Sequence, residues 1–562
     1  MPLGLDKQTI RTSVVLAIAA FLIYVSLIGW QLPYATNADR LVTGAVDELL
    51  PLQALAEMHH TFVVSKPDRN YGYPWFHYFA LASAQAPYIA YLKLSGQLSS
   101  VAVLYPFGFK DPVTVLRNLT LFGRLLSVFM GCGIVIMAYL FSRNLWDHRT
   151  GVLAATLTML SYLQVYFSRV GNPDVGMVFW SGIGLVAFAK ILRDGITTRR
   201  AVVMGISAGL AMGAKDQAFM VFLPLAIALL FPRINSRSDR SYPIRPLVYA
   251  FFAACVSYLA STGMLVDPKR HLLHVYYLAF EPERLTYLPF YRPGLARTWA
   301  GAGQMIVQSL KSLSAMISFP VVLAALVGAL VELRRAPRYL VLLLPLVVLF
   351  LVLTLPTGVV VARYDYPLTF MLDAFAAAAL IWFGRHVNRQ AMVLLCGVVI
   401  GWRALIAADL SYAQFHETRA LAGEWLRAEA KPGDRVEFFG ADGYMAPLPA
   451  EIRSRRIAGR TIWRKEVGHG PYLLQYLKHG DAPRFIYISP DHTVSPDGLE
   501  RSADCPPEVY QALIDGSAGY RLAARFPTPR LFPSLLKRPP LDHPGISPPV
   551  QIFERIAGSV QS

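Results

Sequence analysis

Long apolar runs separated by short charged connectors make up most of residues 1–409. Most runs are roughly 16 to 22 residues long, the length needed to cross a hydrocarbon core of about 30 Å, and the two near Lys215 are shorter. The runs fall at 13–32, 121–140, 151–167, 175–192, 201–214, 218–231, 247–266, 316–331, 340–355, 368–383 and 392–408. This pattern predicts an α-helical polytopic membrane protein with about eleven transmembrane helices.

The distribution of basic residues predicts which connectors face the cytoplasm. Cytoplasmic loops collect Lys and Arg. If the aromatic-rich stretch at 71–94 lies along the membrane interface instead of spanning, the basic connectors all fall on the inner side. These connectors lie at 143–149, 199–200, 233–245, 334–338 and 385–389. We therefore predict a multi-pass protein of the inner (plasma) membrane with a cytoplasmic N-terminus.

Composition argues against three other classes of protein. The chain is 54% hydrophobic and only 16% charged, with a mean hydropathy of +0.41, whereas an ordinary soluble protein carries about 25% charged residues. The net charge of +17 sits largely in connectors and not on one compact basic face, so nucleic acid is not a predicted partner. Three of the four cysteines lie in apolar runs, which argues against a disulfide scaffold.

Two domains are expected. Residues 1–409 form the transmembrane domain, within which 33–120 make a first outer loop with interfacial helices. Residues 410–562 contain no apolar run long enough to span a membrane. We therefore predict that they form a soluble extracytoplasmic α/β domain. Helical patterns at 418–430 and 507–515 alternate there with β-rich runs at 435–439 and 484–488, and the Pro-rich 527–549 reads as an irregular strap.

Acidic residues at the predicted outer face are the first candidates for chemistry. Asp47 and Glu48 lie in the first outer loop, and Asp174 begins the run at 175–192 at the outer membrane boundary. An ionisable group beside hydrocarbon is costly and often functional. The alternatives are that the Asp-Glu pair is only a polar helix face and that Asn172-Pro173-Asp174 forms a turn that caps the next helix. For Asp174, capping and function are compatible.

Several short motifs occur in a characteristic order. They are Asp47-Glu48, the aromatic Tyr73-Pro74 stretch, Arg124-Leu-Leu-Ser, Tyr139-Leu-Phe-Ser-Arg143, Ser168-Arg169 with Asp174, and Arg363-Tyr364 before Pro367. Together they resemble the GT-C superfamily of membrane glycosyltransferases over residues 13–383. The branch that is most similar in pattern contains the protein O-mannosyltransferases and aminoarabinose transferases.

The resemblance implies a GT-C-like fold and an active site at the outer face that uses a polyprenyl- or dolichyl-phosphate sugar. By position, Asp47 matches the family's first-loop acid and general base, with Glu48 beside it, and Asp174 matches the second acidic position. Two features depart from the pattern. Tyr73 replaces the lysine that precedes the loop proline in the aminoarabinose branch, and the large soluble tail is absent from some members.

The reaction itself also requires such groups. A carboxylate must accept the proton of the attacking hydroxyl, and fixed cations must stabilise the departing phosphate. The candidate phosphate-binding residues are Lys215, Arg284, Arg292 and Arg363. Arg363 is favoured because a guanidinium can bind phosphate oxygens in a bidentate manner. Headgroup contact is the alternative for Arg284 and Arg292, and a local ion pair with Asp216 is the alternative for Lys215.

Substrate-binding candidates and metal ligands overlap in the first outer loop. Tyr73, His60 and Tyr364 are predicted to contact substrate. His59, His60 and His77 raise the question of a metal, but adjacent histidines do not share a helix face as an i, i+4 pair would, so a zinc site is not expected. A divalent cation held by Asp47, Glu48 and Asp174 is chemically conceivable, but the resemblance implies no required metal or other cofactor.

We predict a membrane glycosyltransferase that moves a sugar from a polyprenyl-phosphate donor to an acceptor hydroxyl on the extracytoplasmic face. Its partners would be the donor, a glycan, lipid or protein acceptor, and membrane lipids. A transporter or flippase of a lipid-linked intermediate is the alternative. A transporter needs charged groups through the midplane, whereas the span centres here are predicted to be nearly free of charge. In a third hypothesis, the soluble tail carries the activity and the helices only anchor it.

Overall fold

The computed structural model describes residues 6–34, 43–45, 48–63, 73–102, 104–231, 244–280, 295–457, 470–491, 500–502, 504–535 and 546–556. Helices make up the membrane part: α1 Lys7–Val25, α2 Gln53–Phe62, α3 Trp75–Leu94, α4 Pro112–Leu145, α5 His148–Met159, α6 Tyr162–Phe167, α7 Pro173–Asp194, α8 Thr198–Ala214, α9 Phe219–Ala228, α10 Ile244–Ser261, α11 Pro268–Phe280, α12 Trp299–Ile317, α13 Phe319–Arg335, α14 Pro337–Thr357, α15 Tyr366–Phe383 and α16 Arg389–Phe415. Short 3₁₀ turns at Asp216–Ala218 and Ala362–Asp365 precede α9 and α15.

Among the described residues, seven helices are long and apolar enough to cross a membrane, or up to eight if one bent pair counts as a single span. They are α1, α4, α7, α10, α14, α15 with its preceding turn, and α16 with the helix that follows it, and the bent pair is α12 and α13. The protein is therefore a helical polytopic membrane protein, as predicted. The predicted number of about eleven exceeds the helices that meet the length criterion.

Breaks in the backbone explain the difference in span number. The apolar run at 316–331 covers a 111° bend between α12 and α13, where Ser318 has φ 77°. The run at 151–167 is divided into α5 and α6 at Ser161. Near Lys215, α8 has 17 residues and α9 only 10. An apolar run indicates that a segment is buried in lipid or protein, but it does not indicate whether the helix is broken within the run.

Close packing at small residues joins the helices near the site. Gly205, Gly209 and Gly213 form a stripe on α8 that faces α10. A Cβ atom added at Gly205 would lie 2.1 Å from the Ala250 carbonyl oxygen. Small residues at this spacing allow two membrane helices to approach closely, and here they hold α8, with Lys215 at its end, against α10.

Contacts define two ends of the bundle. At the end we call the connector end, Arg143 pairs with Asp6 at 2.5 Å and Arg385 with Asp147 at 3.0 Å. At the opposite end, called the loop end, the first-loop residue Glu48 contacts Gly171. The N-terminal segment and the basic connectors near 143–149 and 385 thus lie together, away from the acidic loop.

The C-terminal part is an α/β unit with a five-stranded mixed sheet. Its elements are α17 Thr418–Glu429, β1 Arg435–Phe438, β2 Arg453–Arg456, α18 Gly470–Lys478, β3 Phe485–Ile488, α19 Pro507–Ile514, β4 Tyr520–Phe526 and β5 Val550–Arg555. The strand order is β2-β1-β3-β5-β4, with β1 parallel to β2 and β3, and β5 antiparallel to β3 and β4. The α/β character is as predicted. The edge strand β2, with the sequence Arg-Ser-Arg-Arg, has too little apolar character to be recognised from its pattern.

Candidate active site at the loop end of the bundle

A buried ion pair holds the first loop against the bundle. Arg124 on α4 donates from Nε to Glu48 Oε1 at 2.8 Å and from Nη2 to Oε2 at 2.6 Å. Glu48 Oε1 also accepts from the Gly171 N–H at 2.7 Å. Both charged side chains are almost completely buried. A bidentate pair of this kind is strong and directional, so Glu48 is held by α4 and by the segment that leads into α7.

Asp174 lies at the beginning of α7, three residues after Gly171. Asn172 caps the helix by accepting from the Asp174 N–H at 2.8 Å, and Pro173 occupies the first turn. The Asp174 carboxylate is therefore near the positive end of the helix dipole. The predicted capping turn is confirmed, and it places Asp174 beside the first loop.

Lys215 is the ionic partner of Asp174. Its Nζ lies 2.6 Å from Asp174 Oδ1, with the two side chains 4% and 1% exposed. The alternative of a local pair with Asp216 is wrong, because Asp216 Oδ1 instead contacts His274 Nε2 at 3.1 Å. Lys215 ends α8 in an extended conformation, so the two neighbouring side chains diverge.

Two cations share one aromatic ring beside this pair. Lys215 Nζ lies 5.7 Å and Arg363 Cζ 5.6 Å from the centre of the Tyr364 ring. The 3₁₀ turn Ala362–Asp365 places Arg363 and Tyr364 there. Cation–π contacts of this length are favourable. The structure thus brings together Lys215, Arg363 and Tyr364, three of the predicted site residues.

His77 on α3 completes the buried part of the site. Its side chain is 2% exposed and hydrogen-bonds to the Gly171 backbone. Burial is the main reason that the pKa of His77 is lowered to about 4; the Gly171 hydrogen bond opposes this shift, and the charge of Lys215 contributes to it. The imidazole is consequently neutral near pH 7. The sequence suggested His77 only as a metal ligand, and a lone histidine in an aromatic stretch carries no signal of this position.

A second buried cluster lies around Arg270, which sequence reasoning missed. Arg270 pairs with Glu57 at 3.4 Å and donates from Nη2 to the Tyr73 carbonyl oxygen at 3.2 Å. Its guanidinium lies 5.7 Å from the centre of the Tyr78 ring. Tyr73 is therefore connected to α11 through its backbone. In the sequence, Arg270 is marked only as a basic residue that follows shortly after the apolar run at 247–266.

The remaining predicted residues fall into two groups. His60 lies on α2, where its ring meets that of His59 at 6.2 Å in an edge-on arrangement. Asp47, Arg284 and Arg292 lie outside the described residues. Within the described part of the chain, no group of three His, Cys, Asp or Glu side chains is placed to hold a metal ion.

One buried ion pair contradicts the expectation that span centres carry almost no charge. Asp373 on α15 pairs with Arg403 on α16 at 2.5 Å, and the two side chains are 0% and 2% exposed. Thr158 donates to Asp373 Oδ2 at 3.0 Å, and Arg403 donates to the Leu157 carbonyl oxygen. The polar groups of this pair are bound by protein atoms of three helices, so the pair connects α5, α15 and α16.

The segment that carries the buried site matches a known family. Residues 113–262 match the model of the dolichyl-phosphate-mannose-protein mannosyltransferase family. Arg124, Asp174 and Lys215 all lie within this segment. The resemblance to the GT-C superfamily of membrane glycosyltransferases is therefore confirmed over this segment.

One curated relative is an arabinosyl transferase. The undecaprenyl phosphate-alpha-4-amino-4-deoxy-L-arabinose arabinosyl transferase 1 of Pseudomonas fluorescens is 33% identical over 114 residues. This match covers 19% of the present chain and 21% of the relative. The chain thus matches about a fifth of that protein's length.

Two solved structures show weak overall similarity. The apo ArnT of Cupriavidus metallidurans is 10% identical, with a TM-score of 0.46 and coverage of 98% of this chain and 99% of that one. An oligosaccharyltransferase of Archaeoglobus fulgidus is 15% identical, with a TM-score of 0.43 and coverage of 84% and 67%. TM-scores this low do not by themselves establish a shared fold, so the family match carries the assignment.

Proposed function

We propose that this protein transfers a sugar from a polyprenyl-phosphate donor to an acceptor hydroxyl at the loop end of the bundle. The observation that carries the proposal is the buried Asp174–Lys215 pair, which lies inside the family-matched segment and beside Arg363. The solved ArnT structure with bound undecaprenyl phosphate and the arabinosyl transferase relative belong to proteins with lipid-phosphate ligands or donors. They agree with a donor of this chemical class.

In the proposed reaction, an acceptor oxygen attacks the anomeric carbon of the donor sugar. Asp47 accepts the hydroxyl proton as general base. A new bond forms between the acceptor oxygen and the anomeric carbon while the bond from that carbon to the phosphate oxygen breaks. The electron pair leaves with polyprenyl phosphate. Direct displacement by this route inverts the configuration of the anomeric carbon.

The cations of the site would stabilise the phosphate as its charge develops. Lys215 and Arg363 share the Tyr364 ring, and burial strengthens their electrostatic effect because water screens them less. Asp174 would hold the Lys215 ammonium in place through the 2.6 Å contact. Glu48 is held by Arg124 and Gly171, so we assign it to positioning the loop and not to proton transfer.

We place the loop end outside the cell and the connector end in the cytoplasm. The grouping of Arg143 and Arg385 at one end supports this orientation, because cytoplasmic connectors collect basic residues. The C-terminal domain would then be extracytoplasmic, on the same side as the acidic loop. We retain a topology of about eleven crossings, in which α5 with α6, α8 and α9 are counted as spans besides the longer helices.

Purified protein in lipid vesicles, given a panel of polyprenyl-phosphate sugars, tests the proposal. We expect wild type to release polyprenyl phosphate with at least one donor and Asp47→Asn to be slower by about 10²- to 10⁴-fold. Glu500→Gln removes an exposed carboxylate of the soluble domain that pairs with Arg525, and it should retain full turnover. Full turnover by Asp47→Asn would remove Asp47 from the mechanism.

The same assay addresses the transporter alternative. A flippase would move the intact lipid-linked sugar between leaflets and release no polyprenyl phosphate. The midplane pair Asp373–Arg403 is the feature that this alternative would invoke. Its charges are bound by each other, by Thr158 and by the Leu157 carbonyl, which favours a structural role and leaves transfer as the proposal.

A further inference from the structure

A buried arginine of the soluble domain contacts the first loop. Arg419, at the start of α17, donates from Nη1 to the Gly44 carbonyl oxygen at 3.1 Å and to the Gly443 carbonyl oxygen at 2.8 Å. Its other guanidinium nitrogens contact the Glu417 carboxylate at 2.8 and 3.1 Å. The Arg419 side chain is completely buried. One planar group therefore joins the soluble domain to the backbone of the loop.

Trp30, in the turn that follows α1, is bound to the Glu417 partner of Arg419. Trp30 Nε1 donates to Glu417 Oε2 at 2.6 Å. The Arg419 guanidinium lies 5.8 Å from the centres of both the Trp30 and the Tyr444 rings. Residues before the loop, residues in the loop and residues of the soluble domain thus meet at Arg419, in a buried setting where hydrogen bonds to charged groups are strong.

The approach of the loop to this junction requires glycine at position 44. A Cβ atom there would lie 2.5 Å from the Gln31 Cβ and 3.1 Å from Arg419 Nη1. The Gly44 N–H also donates to the Gln31 carbonyl oxygen at 3.2 Å. The loop backbone is therefore packed against Arg419 with no room for a larger residue.

Two arginines hold the loop from opposite sides of the proposed base in the sequence. Arg419 binds Gly44, three residues before Asp47, and Arg124 binds Glu48, the residue after it. Arg124 belongs to the membrane domain, whereas Arg419 belongs to the soluble domain. We propose that Arg419 is a positioning residue through which the soluble domain sets the geometry of the first loop for the transfer reaction, which rests on the function proposed above.

This role differs from simple attachment of the domain. Arg484 provides the comparison, because it also binds two carboxylates, Asp434 at 2.6 Å and Glu554 at 3.0 Å. Both of these carboxylates lie within the soluble domain. A purely stabilising arginine should affect folding alone, whereas displacement of catalytic groups by about 1 Å can slow a reaction by about a hundredfold.

The test compares Arg419→Ala, Arg419→Lys and Arg484→Ala in the full-length protein in lipid vesicles. Two quantities are measured, namely the kcat and KM for polyprenyl-phosphate sugar, and hydrogen exchange in the peptide that spans residues 43–50. We expect Arg419→Ala to lower kcat by about tenfold to a hundredfold with little change in donor KM, and to speed exchange in the loop peptide. Arg419→Lys should have a kcat and a rate of loop exchange between those of wild type and Arg419→Ala, because its ammonium keeps the charge but cannot reproduce the contacts of the planar guanidinium.

The outcomes separate this inference from the proposed function. Faster loop exchange in Arg419→Ala, in a protein whose wild type transfers no sugar, would support the coupling and reject the transferase. Equal kcat and equal loop exchange in Arg419→Ala and Arg484→Ala would overturn the positioning role. If Arg419→Ala fails to fold, Arg419→Lys tests the positioning role instead. A folded lysine variant with the kcat and loop exchange of wild type would contradict the proposal.

Discussion

Two of the buried ion pairs of the helix bundle have nearly the same burial but different surroundings. Asp174–Lys215 lies at the loop end, where an aromatic ring, a neutral histidine and Arg363 adjoin it. Asp373–Arg403 lies within the spans and is bound by Thr158 and a backbone carbonyl. Burial alone therefore does not distinguish a site from a structural contact, and the neighbouring groups do.

The energetics of buried pairs make this comparison testable. Removal of one partner leaves an uncompensated charge and costs about 3 to 5 kcal/mol, whereas replacement of both partners by neutral residues is often close to neutral for stability. Paired neutral substitutions therefore separate the need for charge in folding from the need for charge in the reaction.

The largest expected effect is on turnover at the loop end. In Asp174→Asn/Lys215→Met, we expect stability within about 2 kcal/mol of wild type, but release of polyprenyl phosphate slower by about a thousandfold, because a fixed cation near the departing phosphate is lost. Thermal unfolding in detergent and the vesicle assay measure the two quantities. Near-normal turnover in a folded double variant would place this pair among the structural contacts.

Substitutions in the pair within the spans should affect stability more than turnover. Arg403→Met alone should lower the free energy of unfolding by about 3 kcal/mol, since it leaves Asp373 buried without its cation. Asp373→Asn/Arg403→Met should recover most of that loss and keep turnover within about threefold of wild type, by the same argument. A folded double variant without turnover would assign this pair a role in function.

The smallest effect is a pH dependence of stability that His77, beside the loop-end pair, should produce. The pKa of His77 is about 4 in the folded protein, against 6.5 ordinarily. As pH falls through 6.5, the unfolded chain takes up a proton before the folded protein does, so stability present above pH 6.5 is lost toward pH 4. Between pH 7 and 5 this loss is about 2 kcal/mol.

His77→Gln provides the control for that pH dependence. Without the imidazole, the loss of stability on acidification that arises from position 77 should disappear. The thermal unfolding midpoint of His77→Gln should therefore change less between pH 7 and 5 than that of wild type. An identical pH profile in wild type and His77→Gln would show that His77 is not the buried neutral base inferred from its surroundings.

Local sequence patterns predicted much of the architecture. The α17 helix, β1 and β3 lie within two residues of their predicted bounds, because turns and apolar alternation mark them. The cap at Asn172-Pro173-Asp174 is also a local feature and was predictable. The helix breaks at Ser161 and Ser318 were not, since uniformly apolar runs hide them.

The partners of charged residues were predicted least well. The sequence suggested Asp216 for Lys215, yet Lys215 pairs with Asp174, 41 positions away. Arg419 contacts Gly44 across 375 positions. No local pattern indicates which of several acids or carbonyls will meet a given cation, because that depends on how separate helices pack.

The sequence by itself determined the membrane class, the family resemblance, the acidic first loop and the α/β character of the tail. Hydrophobicity, charge and turn chemistry act over short stretches, so they can be read from neighbouring residues. Tertiary structure alone decided which buried charges neutralise each other and how the C-terminal α/β unit meets the loop. The physical reason is that a buried charge must find a partner in space, and packing brings that partner from a distant part of the chain.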